Sequence, residues 1–163
     1  MTADCILGID PGLDGAFALL CPDGATDVLQ VFDMPTTERV VNKKRKRQID
    51  THAITTWLDI NRHRIAKVVI EKVGAMPGQG VTSSFNFGYT AGSIDACCIA
   101  AGLVVEHAYP QAWKRFYGLL GQPKDASRTA ASKLMPWAAY QWPLKKHDGR
   151  AEAALLALYG RRV

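Results

Sequence analysis

Apolar runs bounded by turn residues predict five strands in this chain. The first three runs are joined by short connections, so we expect them to pair as an antiparallel meander. The last two runs each follow a helical segment, which is typical of strands that join a sheet in parallel. The five runs occupy residues 5–10, 16–20, 28–32, 67–71 and 103–107.

Helical periodicity predicts the elements between and after these strands. Ile54, Trp57 and Leu58 share one side of a predicted helix over residues 49–60. The other predicted helices span residues 83–101, 110–117, 125–134 and 149–159. We therefore predict a single domain over residues 1–163. Its class is α/β, with a mixed five-stranded sheet (three antiparallel strands, then parallel strands) flanked by helices.

Basic residues are concentrated after position 38. Residues 1–38 contain seven acids and no Lys or Arg, whereas the rest of the chain holds all 20 basic residues against eight acids. A basic surface beside an acidic focus suits a protein that grips a polyanion and holds cations against it. Five consecutive basic residues are candidates for DNA contact, and a solvated flexible loop explains them equally well: Lys43, Lys44, Arg45, Lys46 and Arg47.

Hydropathy and cysteine spacing indicate where in the cell the protein is expected to be. No apolar run reaches the ~18–20 residues that cross a membrane, and the start of the chain lacks the basic segment of a signal peptide. Cys97 and Cys98 are adjacent in an apolar stretch, where buried reduced thiols are expected, and the four cysteines lack zinc-ligand spacing. We expect no membrane partner and a cytoplasmic, reducing location.

Four acids are placed where they could act together. Asp10 and Glu71 each end a predicted buried strand, and ligands of open α/β sheets gather beyond such strand ends. Asp148 and Glu152 are four residues apart, so they share one face at the start of the last helix. These carboxylates would repel one another unless divalent cations neutralised them. Oxygen-only ligation favours Mg²⁺ or Mn²⁺, and two such ions can support phosphodiester hydrolysis.

Each of these residues also has an ordinary structural explanation. Asp10 precedes Pro-Gly and could open a turn, while Glu71 could be an exposed strand end. Asp148 could cap the last helix, although a capping box does not place the partner acid at the spacing of Glu152. His147 is more often solvated, or a partner of a ligand, than a ligand itself. The joint arrangement favours the metal site.

Three short motifs carry these acids. They are Ile9-Asp10-Pro11-Gly12, Ile70-Glu71-Lys72-Val73 and His147-Asp148-Gly149-Arg150-Ala151-Glu152-Ala153. In order, spacing and predicted context they resemble the RuvC family of Holliday-junction resolvases, in particular the short forms of bacteriophages. The resemblance covers about residues 5–159. It implies an RNase H-like fold, a homodimer that acts on branched DNA, and a bacterial host cytoplasm if the chain is phage-encoded.

The resemblance also implies roles for single residues. Asp10, Glu71, Asp148 and Glu152 would be catalytic and would hold Mg²⁺ or Mn²⁺, with two ions per active site. Relatives commonly end the last motif in Asp, with an acid or His three residues earlier, where this chain has Gly149. His147 and Asp148 are therefore alternatives for completing the site.

Basic residues between the fifth strand and the last helix resemble positions used for phosphate contact. Lys124 is expected to be catalytic as well as DNA-binding, because a point charge near the scissile phosphate stabilises developing negative charge. Lys114 and Arg128 are expected to bind phosphates. Surface solubility is the alternative explanation for all three.

The resemblance further implies that the loop after Glu71 and the following helix contact DNA near the branch. Met76 is a candidate apolar wedge, with ordinary loop packing as an equally good explanation. Polar side chains nearby are expected to contact DNA: Gln79, Ser83, Ser84 and Asn86. Phe85 and Phe87 are expected in the core or an interface. Small residues would let this helix approach a second copy or the sheet closely: Gly88, Ala91, Gly92 and Ala96.

These observations predict a structure-selective endodeoxyribonuclease for branched DNA, Holliday junctions above all. A broader nuclease for flaps and forks needs the same metal site, so the sequence does not separate the two. A catalytically inactive junction-binding module would lose at least one carboxylate, and all four are present. An actin-like ATPase is disfavoured because that fold needs a much longer chain.

Overall fold

Two sheets of different character organise the computed structural model, which describes residues 4–163. Within that range, seven strands form a central sheet of five and a separate pair. The strands are β1 (Cys5–Asp10), β2 (Ala16–Asp23), β3 (Thr26–Asp33), β4 (Thr36–Val41), β5 (Lys44–Ile49), β6 (Ile65–Glu71) and β7 (Val105–Ala108). The helices are α1 (Thr51–Asn61), α2 (Val81–Ala100), α3 (Pro110–Phe116), α4 (Ala126–Leu134) and α5 (Asp148–Arg162).

The central sheet has the strand order β3-β2-β1-β6-β7. The strands β1, β2 and β3 pair antiparallel, whereas β6 pairs with β1 and β7 pairs with β6 in parallel. The predicted mixed five-stranded sheet flanked by helices is therefore confirmed. Ile9 pairs with Ile70, so Asp10 and Glu71 follow as the last residues of two neighbouring parallel strands. The topology thus brings both carboxylates to the same end of the sheet.

Helices cover both faces of this sheet, and each face has its own core. Alternate residues of a strand point to opposite faces. Leu7 and Ile9 therefore join the core beneath α1 and α2, whereas Ile6 joins the core beneath α3, α4 and α5. The helix α5 is buried on nearly every side, which is typical of a helix at the centre of a domain.

Gly8 lets α5 lie directly on β1. A Cβ atom at Gly8 would stand 2.1 Å from the carbonyl oxygen of Ala153 and 2.4 Å from the backbone nitrogen of Ala157. Any side chain at this position would overlap the helix backbone, so close packing depends on glycine. Because the helix axis is held against the strand in this way, the first turn of α5 lies over the carboxyl end of β1.

The pair β4–β5 was not predicted from the sequence. The strands form an antiparallel hairpin whose two-residue loop, Asn42 and Lys43, has positive φ angles of 52° and 61°. That is the backbone of a type I′ turn, which suits tightly connected strands. Lys43 to Arg47 therefore belong to an ordered hairpin, and their reading as a flexible loop is wrong. Few hairpin residues are apolar and buried, so the sequence lacks the alternation of apolar and polar residues that indicates a strand.

The predicted start of the first helix is also wrong. Ile49 is the last residue of β5 and is buried, while α1 begins at Thr51. The side chain of Asp50 accepts a hydrogen bond from the Ala53 backbone N–H at 3.0 Å, which caps the helix. The apolar residue before this cap belongs to the strand pattern and not to the helix.

The cysteines divide into a bonded pair and a free pair. Cys5 and Cys21 face each other on β1 and β2 and are joined by a disulfide, which their sequence spacing did not predict. Cys97 and Cys98 are free, and Cys98 is fully buried. The cytoplasmic location stays a prediction. Residues 1–3, part of the start judged unlike a signal peptide, lie outside the described residues. Among residues 4–163, no helix combines the length and apolar character needed to cross a membrane.

Candidate active site

Three carboxylates from three elements lie close enough to interact electrostatically beyond the ends of β1 and β6. Asp10 ends β1, Glu71 ends β6, and Glu152 lies near the start of α5. Burial, and then the negative charges of Glu152 and Glu71, raise the pKa of Asp10 from 3.8 to about 7. Burial and the charge of Glu152 also raise the pKa of Glu71. Acids that repel one another in this way favour a cation among them, so the donor set fits a divalent metal ion.

Neighbouring donors bond one oxygen of each of two of these acids. The indole N–H of Trp113 donates to Glu71 Oε1 at 3.1 Å, and the Ser127 hydroxyl donates to Glu152 Oε1 at 2.9 Å. Lys114 Nζ is 3.8 Å from the same Glu152 oxygen. Over residues 4–163, no three acidic, histidine or cysteine side chains have donor atoms already converged on one metal position. The contacts from Trp113, Lys114 and Ser127 show that α3 and α4 orient the Glu71 and Glu152 carboxylates.

Asp148 has a different partner from the other acids. Arg128 Nε lies 2.9 Å from Asp148 Oδ1, and both side chains are largely buried, with 22% and 17% exposed. Asp148 is not among the charges that raise the pKa of Asp10. The residue preceding α5 is His147, which makes no side-chain cap, so the capping explanation for Asp148 is wrong. Asp148 lines the same cleft as Asp10 and Glu152 but is neutralised by Arg128.

Gly149 accounts for the unusual spacing of the last motif. A Cβ atom at Gly149 would stand 2.5 Å from the carbonyl oxygen of Asp14 and 3.0 Å from Asp10 Oδ2. The start of α5 packs so closely on the turn between β1 and β2 that no side chain fits there. An acid or histidine three residues before Glu152 is thus sterically excluded, and Asp148 is the nearest position that can carry one.

The other structural explanations have different outcomes. Asp10 does accept a long hydrogen bond, 3.4 Å, from the Gly12 N–H, so it serves the turn as well as the cluster. Glu71 is partly buried and bonded to Trp113, so it is not an exposed strand end. The Nδ1 atom of His147 accepts a hydrogen bond from the Leu144 N–H at 3.2 Å, while the residue lines the cleft.

An open cleft of about 870 Å³ lies beside Asp10. Positive charge is placed on several sides of it. Lys124 enters from the loop before α4, Lys146 from the turn before α5, Arg150 from the first turn of α5, and Arg47 from the hairpin. Arg47 pairs with Asp14, and Arg150 pairs with Asp33 through two hydrogen bonds of 2.7 and 2.8 Å. Phe87 of α2 also lines the cleft. The arrangement joins an acidic centre to a basic rim.

Three residues that position this site were not predicted. Trp113 and Ser127 precede the predicted basic residues Lys114 and Arg128, whereas Asp33 meets Arg150 only in the fold. Their contacts in the structure identify all three. A buried indole N–H needs an acceptor, and this was the one signal in the sequence that pointed to Trp113. No pattern connects Ser127 with Glu152, since they are 25 residues apart and meet only in the fold.

The predicted DNA contacts after Glu71 lie outside the cleft lining. Met76 is 70% exposed, so it is not packed within its loop, whose backbone is closed by a hydrogen bond from the Met76 N–H to Gln79 Oε1. Ser83 and Asn86 are exposed in the first turns of α2, and Ser84 is partly buried. Phe85 is 74% exposed, so its assignment to the core is wrong, although an interface is still open to it.

Comparisons with known proteins identify the fold. No protein-family model and no curated protein matches the chain. Solved structures do match. Thermus thermophilus RuvC in complex with Holliday junction substrate has 15% identity and a TM-score of 0.59, and the alignment covers 98% of this chain and 96% of that one. The yeast mitochondrial Holliday junction resolvase Ydc2 has 13% identity and a TM-score of 0.57, with 96% and 77% covered.

A viral enzyme shows the same likeness. Fowlpox virus resolvase in complex with its substrate Holliday junction DNA has 16% identity and a TM-score of 0.55, with 96% of this chain and 98% of that one covered. At such identities the matches establish the fold alone. The chain therefore has the RNase H-like fold of RuvC-type resolvases, as the resemblance of its three motifs implied.

Proposed function

We propose that this protein is a structure-selective endodeoxyribonuclease that hydrolyses phosphodiester bonds in branched DNA, with Holliday junctions as its principal substrate. One observation carries the proposal: Asp10, Glu71 and Glu152 repel one another at the carboxyl ends of β1 and β6, on a fold shared with Holliday junction resolvases. A purely structural cluster would be a costly arrangement, because burial and like charge both disfavour the ionised acids.

The acids would hold Mg²⁺ or Mn²⁺, two ions per site. Bound at Asp10, Glu71 and Glu152, with Asp148 as the fourth ligand, the metal ions would activate water and stabilise the leaving oxygen. The protein itself supplies orientation. Trp113 and Ser127 fix the Glu71 and Glu152 carboxylates, and Gly149 brings α5 against Asp10. Lys124 lines the cleft, where its charge would stabilise the scissile phosphate.

The basic rim provides the surface for a polyanion. Lys124 and Lys146 lie within the cleft, and the exposed residues of β5 extend the positive surface away from it. Phosphate contacts of this kind position DNA without reading its sequence. The exposed Met76 and the start of α2, with Ser83 and Asn86, would meet the DNA close to the branch.

The protein would act as a homodimer, because a four-way junction must be cut on two strands. The solvent side of α2 offers a surface for a second copy. Phe85, Tyr89 and Ile99 are exposed there at 74%, 63% and 60%. Gly88 and Gly92 have nothing within 4 Å of a built Cβ, which leaves room for close helix approach. An exposed apolar surface of this kind is typical of an interface.

Cleavage of defined DNA substrates tests the proposal. The purified protein is incubated with labelled four-way junction, flap, fork and linear duplex, with Mg²⁺, with Mn²⁺ or with EDTA. We expect paired, metal-dependent cuts near the junction centre, and no cleavage by Asp10→Asn. Asp23→Asn is the matched control, because Asp23 is an exposed acid at the far end of β2 and should leave cleavage unchanged.

The outcomes separate the alternatives. Equal cleavage of flaps and forks would make the protein a broader branched-DNA nuclease with the same metal site. Tight junction binding without cleavage under any metal would favour an inactive binding module. Full cleavage by Asp10→Asn would overturn the assignment of the active site. Single unpaired nicks in a junction would argue against a dimer that presents two sites.

A further inference from the structure

Asp148 is the only one of the four predicted metal ligands that is held by a positive charge at hydrogen-bond distance within residues 4–163. Its Oδ1 atom is 2.9 Å from Arg128 Nε, and the two side chains are only 17% and 22% exposed. Glu71 and Glu152 are instead bonded by the neutral donors Trp113 and Ser127. A charge-assisted hydrogen bond to a guanidinium is among the stronger side-chain interactions. Arg128 therefore already supplies Asp148 with much of the neutralising positive charge that a metal ion would supply.

The two contacts from α4 form one clamp on α5. Ser127 and Arg128 are neighbours in the first turn of α4, and they hold Glu152 and Asp148, which are one helical turn apart. Ser127 is buried and has no charge, so it can stay on Glu152 when a metal ion binds. Arg128 carries its own positive charge. A divalent cation at Asp148 would repel it, so the guanidinium and the metal ion are alternatives for this carboxylate.

We propose that Arg128 is the group that a divalent cation displaces from Asp148, and that the released guanidinium then binds a DNA phosphate at the cleft. The inference rests on the proposed function and deepens its metal site. The planar guanidinium matches a phosphate as well as it matches a carboxylate. Metal binding and DNA binding are therefore coupled, because the ion at Asp148 makes Arg128 available to the DNA.

Metal affinity in the absence of DNA tests the first step. Mn²⁺ binding is measured by titration calorimetry and by the loss of the free-ion paramagnetic resonance signal. Arg128→Gln is expected to bind Mn²⁺ about tenfold more tightly than the wild type, because the competing hydrogen-bonded charge is gone. Lys133→Gln is the control, since it removes the same charge from the exposed last turn of the same helix. Its affinity should stay within about twofold of the wild type.

A double-mutant cycle separates competition at Asp148 from a general electrostatic effect. In the Asp148→Asn background, Arg128→Gln should change Mn²⁺ affinity little, because there is no carboxylate left to release. Arg128→Lys, which keeps the charge, should lie between the wild type and Arg128→Gln and guards against a folding defect. Unchanged or weaker Mn²⁺ binding by both Arg128 variants would overturn the proposal, because it would make Arg128 a support that orients Asp148 for the metal.

Junction binding with a second cation tests the coupling. Wild-type affinity for a four-way junction should rise severalfold when Ca²⁺ replaces EDTA, and Arg128→Gln should lose most of that rise. An equal Ca²⁺ effect in the two proteins would overturn the second step. If the wild type fails to bind Mn²⁺ at all, or binds it as well after Asp10→Asn, the proposed metal site itself fails. Asp10-dependent Mn²⁺ binding that is insensitive to Arg128 removes only this further inference.

Discussion

The carboxylate side of the cleft and the β4–β5 hairpin differ in how deeply their charged residues and supporting elements are buried. The acids stand on buried strands and on a helix that is buried on nearly every side. The basic residues of β5 are exposed, and only Ile49 at its end is buried. Close packing therefore sets the geometry of the first region, while the second region offers charge on a surface with little beneath it.

This difference predicts how each region responds to change. On the carboxylate side, one added methyl group can meet backbone atoms of another element, and those atoms cannot move independently. On the hairpin, each charge acts through solvent on a long polyanion, so losses should be small and nearly additive. Packing defects should consequently appear in stability, and hairpin changes in DNA affinity and its salt dependence.

The largest effect is expected at Gly8. Gly8→Ala places a methyl group 2.1 Å from the carbonyl oxygen of Ala153, so α5 must shift away from β1. We expect a loss of about 3 kcal/mol or more in the free energy of unfolding, measured by urea denaturation. Gly74→Ala is the control, because a Cβ atom there meets nothing within 4 Å. Equal stability of the two variants would show that close packing does not set the position of α5.

The second effect concerns Asp10 and pH. The pKa of Asp10 is raised from 3.8 to about 7 in the folded protein, so the folded state binds this proton more tightly than the unfolded state. The resulting stability is fully present below pH 3.8 and is lost as the pH rises through about 7. In EDTA, the wild type should therefore lose up to about 3 kcal/mol between pH 5 and pH 8 through this group.

Asp10→Asn should abolish this dependence. The variant is expected to be more stable than the wild type at pH 8 in EDTA, with a smaller advantage at pH 5. Mg²⁺ should narrow the difference at pH 8, because a cation stabilises the ionised cluster. Urea denaturation at the two pH values measures the difference in the free energy of unfolding between the wild type and Asp10→Asn. Asp23→Asn, which changes an exposed acid, is the control. Parallel pH profiles for the wild type and Asp10→Asn would refute the raised pKa of Asp10, which burial and the neighbouring acids produce together.

The two regions also differ in how far the sequence could predict them. The strand ends at Asp10 and Glu71 follow from buried apolar runs, and the helical spacing of Asp148 and Glu152 follows from periodicity. The pairing of Asp148 with Arg128 could not be predicted, because it depends on how α4 packs on α5. The disulfide between Cys5 and Cys21 likewise depends on the register of β1 and β2.

The hairpin was not predicted because it lacks the apolar alternation from which strands are usually inferred. Its strands are held by cross-strand backbone pairing and by a turn with two positive φ angles. Asn42 was the one favourable signal, since Asn adopts positive φ more readily than most residues. The run of five basic residues indicated a positively charged surface, but it contains no apolar residue from which a strand could be predicted.

The pairing register gives the two faces of this hairpin different charge. Arg39 lies opposite Lys46, and Lys44 shares their face, which carries no acid among residues 36–49. On the other face, Arg45 donates to Glu38 at 3.1 Å and Arg47 pairs with Asp14. Like charges directly opposite one another destabilise a strand pair, and DNA phosphates would relieve that repulsion. The face of Arg39, Lys44 and Lys46 should therefore be the one that meets DNA.

The smallest effect is expected from neutralising that face. Lys44→Gln with Lys46→Gln should weaken junction binding about tenfold at moderate salt and reduce the slope of log affinity against log salt by about two. Arg45→Gln is the matched control. The charge of Arg45 is already balanced by Glu38. Arg45→Gln should therefore change the slope of log affinity against log salt by much less than one. Equal changes per charge on both faces would mean that only net charge matters, and an unchanged slope would mean that the hairpin does not touch DNA.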